Sequence, residues 1–343
     1  MFEFCGKMLG GDNPPLIVAE IGFNHNGDLG LAKKMMRSAA EHGADAVKFQ
    51  TFVGEELVSR SLMGDDPDRP GNKISIYEFF KRYELRRSDY EELFALGREL
   101  DIPVFSTPFD EGSLDMLVAL GMPAVKVASS DLTHLPFLKA VAQKKLPVVL
   151  SSGMGSLGEI ETALDTIRGA GNEEIILLHC VSNYPARHEE MNLLCLPNLG
   201  AVFDVPVGLS DHSMDNLSSI VAAALGAVMI EKHFTTDRSL PGADQSISME
   251  PGDLQALKAA TSQVPKILGD GIKRTQPSEV PVKAARRSLV ARVDIPSGAV
   301  ITREMIAMKR PGTGIAPEHL DRVLGRSAKT AIAAEQVIAW DMV

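Results

Sequence analysis

Short apolar runs alternate along this chain with stretches of helical periodicity, and they do so eight times at a regular pace. The runs fall at residues 16–19, 46–49, 104–105, 124–127, 148–150, 175–178, 205–209 and 227–230. Each is continuously apolar rather than alternating, the pattern of strands buried on both faces of a parallel sheet. Amphipathic segments separate them at 29–41, 88–100, 111–120, 135–144, 157–170 and 213–225, and a further helix is expected at 251–268. The gap 182–204 is weakly patterned. Eight strands, most followed by a helix, predict a (β/α)₈ barrel. Periodicity does not show closure, so an open doubly wound sheet is the alternative.

One connection is far longer than the rest. Residues 51–87 separate the second strand from its helix and include the run GDDPDRPGN at 64–72. A connection of that size reads as a lid or a disordered segment. It follows a strand, which places it at the C-terminal face, where barrel active sites sit. The barrel is expected to occupy 1–270 and a polar Gly/Pro linker 271–283. Residues 284–343 have another texture, with β-rich runs at 288–293 and 299–301, several Gly and Pro, and little helix. They predict a small second domain, marginal alone at that size and expected to dock on something.

Composition excludes several classes of function. The 343 residues carry 45 Asp and Glu against 35 Lys and Arg, a net charge of −10, with only 5% aromatics. A nucleic-acid binder needs a basic face and stacking rings, so no nucleic-acid partner is expected. An anionic ligand would need a site that concentrates a few cations against the global charge. Three cysteines, Cys5, Cys180 and Cys195, form neither a disulfide framework nor a zinc-ribbon spacing. Residues 1–15 lack the apolar core of a secretory signal, and the longest apolar stretch, 220–230, is too short to span a bilayer. A soluble, cytoplasmic protein with no membrane partner is the expectation.

Chemically capable residues stand at the end of nearly every predicted strand. They include Glu20, Lys48 and Gln50, Thr107, Lys126 with Ser129 and Asp131, Ser151 and Ser152, Ser182, Ser210 with His212, and Glu231 with His233. A single such residue is usually a helix cap or a solvated turn. Eight strand ends together are hard to explain that way. His212 and His233 follow neighbouring strands, so both imidazoles can reach one ion; the other reading makes one of them a core or capping histidine. Two histidines without a fixed carboxylate leave positions open for water and substrate, which favours Mn²⁺, Mg²⁺ or Co²⁺ over a closed structural zinc. His25 and His179 are weaker candidates. Lys48 and Lys126 point from buried strands into the same mouth, where an ammonium is costly without an anionic partner. The other reading is that they snorkel at the rim. Together they suggest a phosphorylated or carboxylated small molecule, with Ser and Gly amides as further donors. Glu20, Asp131 and Glu231 are the acid–base candidates.

Seven ordered motifs then carry a resemblance: VAEIGFNHNG (18–27), AVKFQT (46–51), FSTPF (105–109), LSSGM (150–154), GLSDH (208–212), EKHFT (231–235) and KRPG (309–312). From about residue 14 to the end, the chain resembles the sialic acid synthase family. That family condenses phosphoenolpyruvate with N-acetylmannosamine or a related 2-acetamido sugar, giving a nonulosonic acid and phosphate. The resemblance implies a barrel followed by an antifreeze-like (SAF) domain, and a homodimer in which the SAF domain of one chain covers the partner's barrel mouth. It implies metal ligation by His212 and His233, with Mn²⁺ the usual ion. It places phosphoenolpyruvate near Lys48, Gln50, Thr107, Lys126, Ser129, Ser152 and Ser210. Asn72, Ser182, Tyr184 and Asp244 match sugar-contacting positions, and Arg310 would reach the sugar's N-acyl group from the other subunit. Glu20, Asp131 and His233 are the implied catalytic residues. Two departures bear on the sugar. Asp131 stands where N-acetylneuraminate-forming members carry Glu, as in the spore-coat and legionaminic-type branches, and Ser182 replaces a sugar-binding Asn. Rival expectations are a deoxy-octulosonate or deoxy-heptulosonate phosphate synthase and, more remotely, a non-catalytic carbohydrate-binding protein.

Overall fold

The computed structural model describes residues 2–65 and 71–343. Eight parallel strands close into a barrel in sequence order: β1 (Leu16–Gly22), β2 (Ala46–Thr51), β3 (Val104–Pro108), β4 (Val125–Val127), β5 (Val148–Ser151), β6 (Ile175–Cys180), β7 (Val207–Asp211) and β8 (Met229–His233). Pairing of β8 with β1 shuts the ring. That register decides between the closed barrel and the open sheet.

Most observed strands run past the predicted runs into polar residues, Lys48 and Lys126 already stand inside theirs, and these polar residues are buried. Glu20, Lys48, Thr107, Lys126, Ser210, Glu231 and His233 all lie within strands and out of solvent. Apolar content marks where such a strand begins, and polar cross-strand pairing lets it continue. Register stacks these residues side by side, with Glu20 opposite His233 on one flank and Lys48 on the other. Ser210 stands opposite Glu231 and Cys180 opposite Ser210.

The helices outside the barrel carry the expected caps. Asp28 accepts from Leu31 N to start Leu29–Glu41, and Ser156 with Glu159 forms a capping box for Leu157–Gly169. The weakly patterned stretch 182–204 contains a helix, Cys195–Phe203, with no side-chain cap and an exposed Val202. The helix expected from Ser213 begins only at Leu217, because Ser213 N is taken by the Asp211 carboxylate at 2.8 Å.

Two features depart from the sequence reading. The connection 51–87 is not a bare loop: it holds a helix Gly54–Leu57, a hairpin of Met63–Asp65 with Lys73–Ser75, and a helix Ile76–Tyr83. A separate aromatic core of Phe52, Phe79 and Tyr83, with Phe23, Phe80 and Phe109 against it, gives this segment its own support. Residues 66–70 of the GDDPDRPGN run lie outside the described residues. At the other end of the barrel, the hairpin Phe2–Phe4 with Lys7–Leu9 sends Phe4 against Phe105 edge to face, ring centroids 5.9 Å apart. Three-residue strands leave too little period to be read from sequence.

Asp45 fastens that lower end. Its buried carboxylate accepts from Ile17 N at 2.8 Å and pairs with Lys7 at 2.6 Å and Lys258 at 2.5 Å. Burial works against the charge, but these three partners outweigh it and hold the carboxyl below its ordinary value. Asp45→Ala is expected to lower barrel stability by about 2 kcal/mol at pH 7, the scale of charge-assisted hydrogen bonds. Because the folded-state pKa is the lower one, the contribution is complete above the unfolded value of about 4 and fades as pH falls through the folded value. Thermal unfolding of wild type and variant checks this: the gap should be constant from pH 7 to 5 and close in acid. A gap that persists undiminished into strong acid would refute the assignment.

The chain divides into two compact units, one through Gly269 and one from Asp270 to Val343. The second unit pairs Ser288–Ala291 with Ile306–Lys309 around a core that includes Leu289, Ile295, Ile301, Ile306, Ile332 and Ile338. The strand expected at 299–301 is only a single bridge, Val300 to Ser327, while Ile306–Lys309 is a strand the sequence reading did not include. No helix among the described residues is long and apolar enough to cross a membrane.

Candidate active site

A cavity of about 350 Å³ opens at the C-terminal ends of the strands. Glu20, Lys48, Gln50, Thr107, Lys126, Ser129, Ser182, Tyr184, Ser210, His212 and His233 all line it. Glu231, Ser151, Cys180, Phe109, Met154, Ala128 and Ser130 complete the wall.

Two buried lysines and two buried glutamates form its floor. Lys48 Nζ lies 2.7 Å from Glu20 Oε2 and 3.8 Å from Glu231 Oε2, and donates to Thr107 Oγ1 at 2.9 Å. Lys126 Nζ donates to Ser151 Oγ at 2.6 Å and to the Val127 carbonyl at 2.8 Å, and stands 3.9 Å from Glu231 Oε1. Gln50 donates to Glu20 at 2.9 Å and Ser210 to Glu231 at 3.1 Å. Burial pushes the Glu231 carboxyl up, but Lys126, Lys48 and Ser210 outweigh it and keep the group ionised. Burial also lowers the Lys126 pKa, with Glu231 opposing the drop. The rim-snorkelling alternative fails for both lysines, whose side chains are 3% exposed.

The imidazoles face this floor. The rings of His212 and His233 are 5.4 Å apart between centroids, and Tyr184 stacks on His212 at 4.1 Å. His212 Nδ1 lies 2.9 Å from the Val181 carbonyl, which leaves its other nitrogen for a ligand. His233 Nδ1 lies 3.6 Å from Asp244 Oδ2, beyond hydrogen-bond reach, and is buried without a partner. Burial above all, with His212 nearby, keeps the His233 pKa below the ordinary value, so the ring is neutral, as a metal ligand must be. The His212 contact with the Val181 carbonyl is the outer-sphere arrangement seen around metal-bound histidines, and Asp244 faces His233 without bonding to it. Among the described residues no group of three or more His, Cys, Asp or Glu converges on one point, so these two imidazoles would leave most coordination positions open. The residues therefore fit a divalent ion that also takes water and substrate oxygens.

Several expected site residues sit elsewhere. Ser152 does not line the cavity: its hydroxyl donates to the Leu178 carbonyl at 2.9 Å, and Ser151, one residue earlier, points inward instead. Strand alternation allows only one of two adjacent serines to face the interior. Asp131 lies beside the cavity in a short 3₁₀ turn, Ser129–Asp131, with a buried, unpartnered Oδ2 and a pKa raised by that burial. Asp244 flanks His233 from the loop after β8, and Asn72 is exposed beside the hairpin of the long connection. Arg310 belongs to the second unit, where it is exposed. His25 is buried against Phe49 with Nδ1 accepting from Gly27 N, and His179 bonds the Met191 carbonyl; neither lines the cavity. Asp211 and Lys232 form an ion pair at 3.0 Å outside the cavity. Cys180, considered earlier only for disulfides and zinc, lines the wall 3.8 Å from His212, and strand parity with Ser182 was the signal that could have placed it.

The profile of the NeuB family matches residues 35–273, and that of the SAF domain matches 286–343. This chain belongs to the NeuB family. An N,N'-diacetyllegionaminic acid synthase from Legionella pneumophila is 40% identical over 95% of this chain and 93% of its own length. A pseudaminic acid synthase from Helicobacter pylori is 35% identical over 96% and 97%. The crystal structure of an N-acetylneuraminic acid (sialic acid) synthetase from Leptospira borgpetersenii in complex with citrate superposes with a TM-score of 0.73 at 37% identity, covering 81% of this chain and 93% of that one. Within the family these enzymes are synthases of sialic acid or related acids, and the present chain is a synthase of that kind: a (β/α)₈ barrel followed by a SAF domain.

Proposed function

We propose that this NeuB-family enzyme condenses phosphoenolpyruvate with the open-chain aldehyde of a 2-acetamido sugar, releasing phosphate and a nonulosonic acid. The observation that carries this reading is the placement of two buried ammonium groups and two buried imidazoles around one cavity of about 350 Å³. Lys48 and Lys126 take the phosphate and carboxylate, with Thr107, Ser129, Ser151 and Ser210 as neutral donors and Gln50 orienting Glu20. Carbon 3 of the enol attacks the aldehyde carbon, and the aldehyde oxygen takes up a proton. Water adds at carbon 2, giving one proton to a carboxylate; the carbon–oxygen bond to phosphate then breaks as the carbon 2 hydroxyl gives up its proton, leaving the ketone and free phosphate. Glu20 and Asp131 are the candidate bases; burial raises the Asp131 pKa above its ordinary value. A divalent ion, Mn²⁺ above Mg²⁺ or Co²⁺, held by His212 and His233 would supply Lewis acidity toward the sugar carbonyl. The buried site supports catalysis because charges act more strongly where water is excluded.

The sugar would lie toward Tyr184, Ser182, Asp244 and Asn72. Arg310 would arrive from the SAF domain of a second copy. The barrel unit carries 23 Lys and Arg against 37 Asp and Glu, while the second unit carries 12 against 8. Opposite net charge favours such docking between copies. Incubating the protein with phosphoenolpyruvate and a panel of 2-acetamido sugars and phosphorylated aldoses, with phosphate release as readout, tests the reaction. Turnover of phosphorylated aldoses alone would overturn the reading. Arg310→Ala is expected to raise KM for the sugar about tenfold while moving that for phosphoenolpyruvate no more than about twofold, the scale of one lost charge-assisted contact. Equal shifts in the two KM values would refute its placement.

A further inference from the structure

The run Asn24-His25-Asn26, directly past β1, takes no part in the chemistry above, yet its amides are committed to one neighbouring loop. Asn24 is 1% exposed, and its Nδ2 donates to the Phe234 carbonyl at 3.0 Å and to Ser248 Oγ at 2.9 Å. Gln245, fully buried, returns a bond from Nε2 to the Asn24 carbonyl at 2.6 Å and accepts from Thr235 Oγ1 at 2.5 Å. Asn26 Nδ2 donates to the Pro241 carbonyl at 2.8 Å. All these partners lie on the loop that leaves β8 at His233 and returns to it, where Met249 N donates to the His233 carbonyl at 2.7 Å.

Asp244 sits between the two anchor points. Ser248 Oγ donates to the Asp244 carbonyl at 2.6 Å, and Asp244 Oδ2 stands 3.6 Å from His233 Nδ1. We propose that Asn24 and Asn26 are positioning residues that clasp the β8 loop at two points and so hold Asp244 against His233 on the sugar side of the cavity. This rests on the reaction proposed above. Apolar side chains could join neighbouring strand ends as firmly, but a buried, mutually bonded amide network admits a single arrangement. The clasp holds the loop beyond the strand ends, whereas Lys48 and Lys126 are fixed from within the strands, Lys48 by Glu20 and Thr107 and Lys126 by Ser151 and the Val127 carbonyl. Loosening it therefore acts on the sugar and spares phosphoenolpyruvate.

Asn24→Ala and Asn26→Gly in the full chain test this, with phosphoenolpyruvate and whichever acetamido sugar the wild type turns over. Asn26 has φ 53°, so glycine removes its amide without straining the left-handed backbone. Each variant should raise KM for the sugar about tenfold or more, the scale of a small misplacement, and leave that for phosphoenolpyruvate within about twofold. Amide exchange should quicken at residues 240–249 and remain as in wild type across the strands. In an Asp244→Ala background, Asn24→Ala should add no further change in sugar KM. Parallel rises in both KM values, full additivity with Asp244→Ala, or an unchanged sugar KM would each overturn the proposal. Should Asn24→Ala fail to fold, Asn26→Gly decides it by the same KM and exchange measurements. If the wild type turns over no acetamido sugar, the reaction is wrong, and unchanged exchange at 240–249 in both variants would separately dismiss the clasp.

Discussion

Lys126→Met is expected to cut turnover by about 10²–10³, the cost of removing one charge aimed at an anionic reacting group. It should also destabilise the barrel by about 3 kcal/mol, since breaking a buried ion pair leaves a charge uncompensated. The second effect follows from Glu231. Its carboxylate is buried, with Oε2 lacking any hydrogen-bond partner among the described residues, and stays ionised because Lys126 and Lys48 stand within 4 Å. Removing Lys126 leaves Lys48 to neutralise both Glu20 and Glu231. Glu231→Gln introduced together with Lys126→Met should then recover most of the stability, because both charges are gone. It should recover none of the turnover, because the phosphate and carboxylate of the proposed substrate still lack a cation. Thermal unfolding and phosphate release, measured on single and double variants, separate the two effects. Turnover restored in the double variant would mean that Lys126 serves only to hold Glu231.

The same residues show what a sequence can and cannot disclose about a barrel of this kind. Apolar runs located every strand, but six of the eight predictions stopped where the first polar residue appeared. The third strand was read at 104–105 and continues through Thr107 to Pro108. Whether Thr107 is buried depends on Lys48 from the neighbouring strand, a contact between residues 59 positions apart that no local pattern encodes. Inside–outside choice was blurred for a similar reason. Ser151 and Ser152 are adjacent and chemically alike, and only the parity of a four-residue strand distinguishes the one beside Lys126 from the one turned to Leu178. Asp211 and Lys232 look as catalytic in sequence as Ser210 and Glu231, yet alternation directs them outward. There Asp211 accepts from Ser219 Oγ and Ser213 N and steadies the start of the helix after β7. The internal structure of the long connection after β2 was not read because its Gly, Pro and Asp run is conspicuous, while the aromatic residues that support it are scattered over 23–109 and meet only in three dimensions.

The histidine pair yields the other large expected effect. His212 and His233 come from the ends of adjacent strands, and each already has one nitrogen turned to an oxygen, at Val181 and at Asp244. A purely structural role would explain one such ring. It does not explain why a second buried imidazole, whose Nδ1 faces Asp244 without bonding to it, stands directly beside the first with both rings lining the cavity. Dialysis against EDTA should therefore abolish turnover, and Mn²⁺ should restore it. His212→Ala and His233→Ala should each weaken Mn²⁺ binding to the substrate-free protein by about 10²-fold or more, read by calorimetry, because losing one of two protein ligands costs at least as much as losing an outer-sphere partner. Both variants should unfold within a few degrees of wild type, since neither ring carries the barrel core. Full turnover in EDTA, or Mn²⁺ binding untouched by both substitutions, would show that the imidazoles act on substrate directly and that Lewis acidity has no place at this cavity.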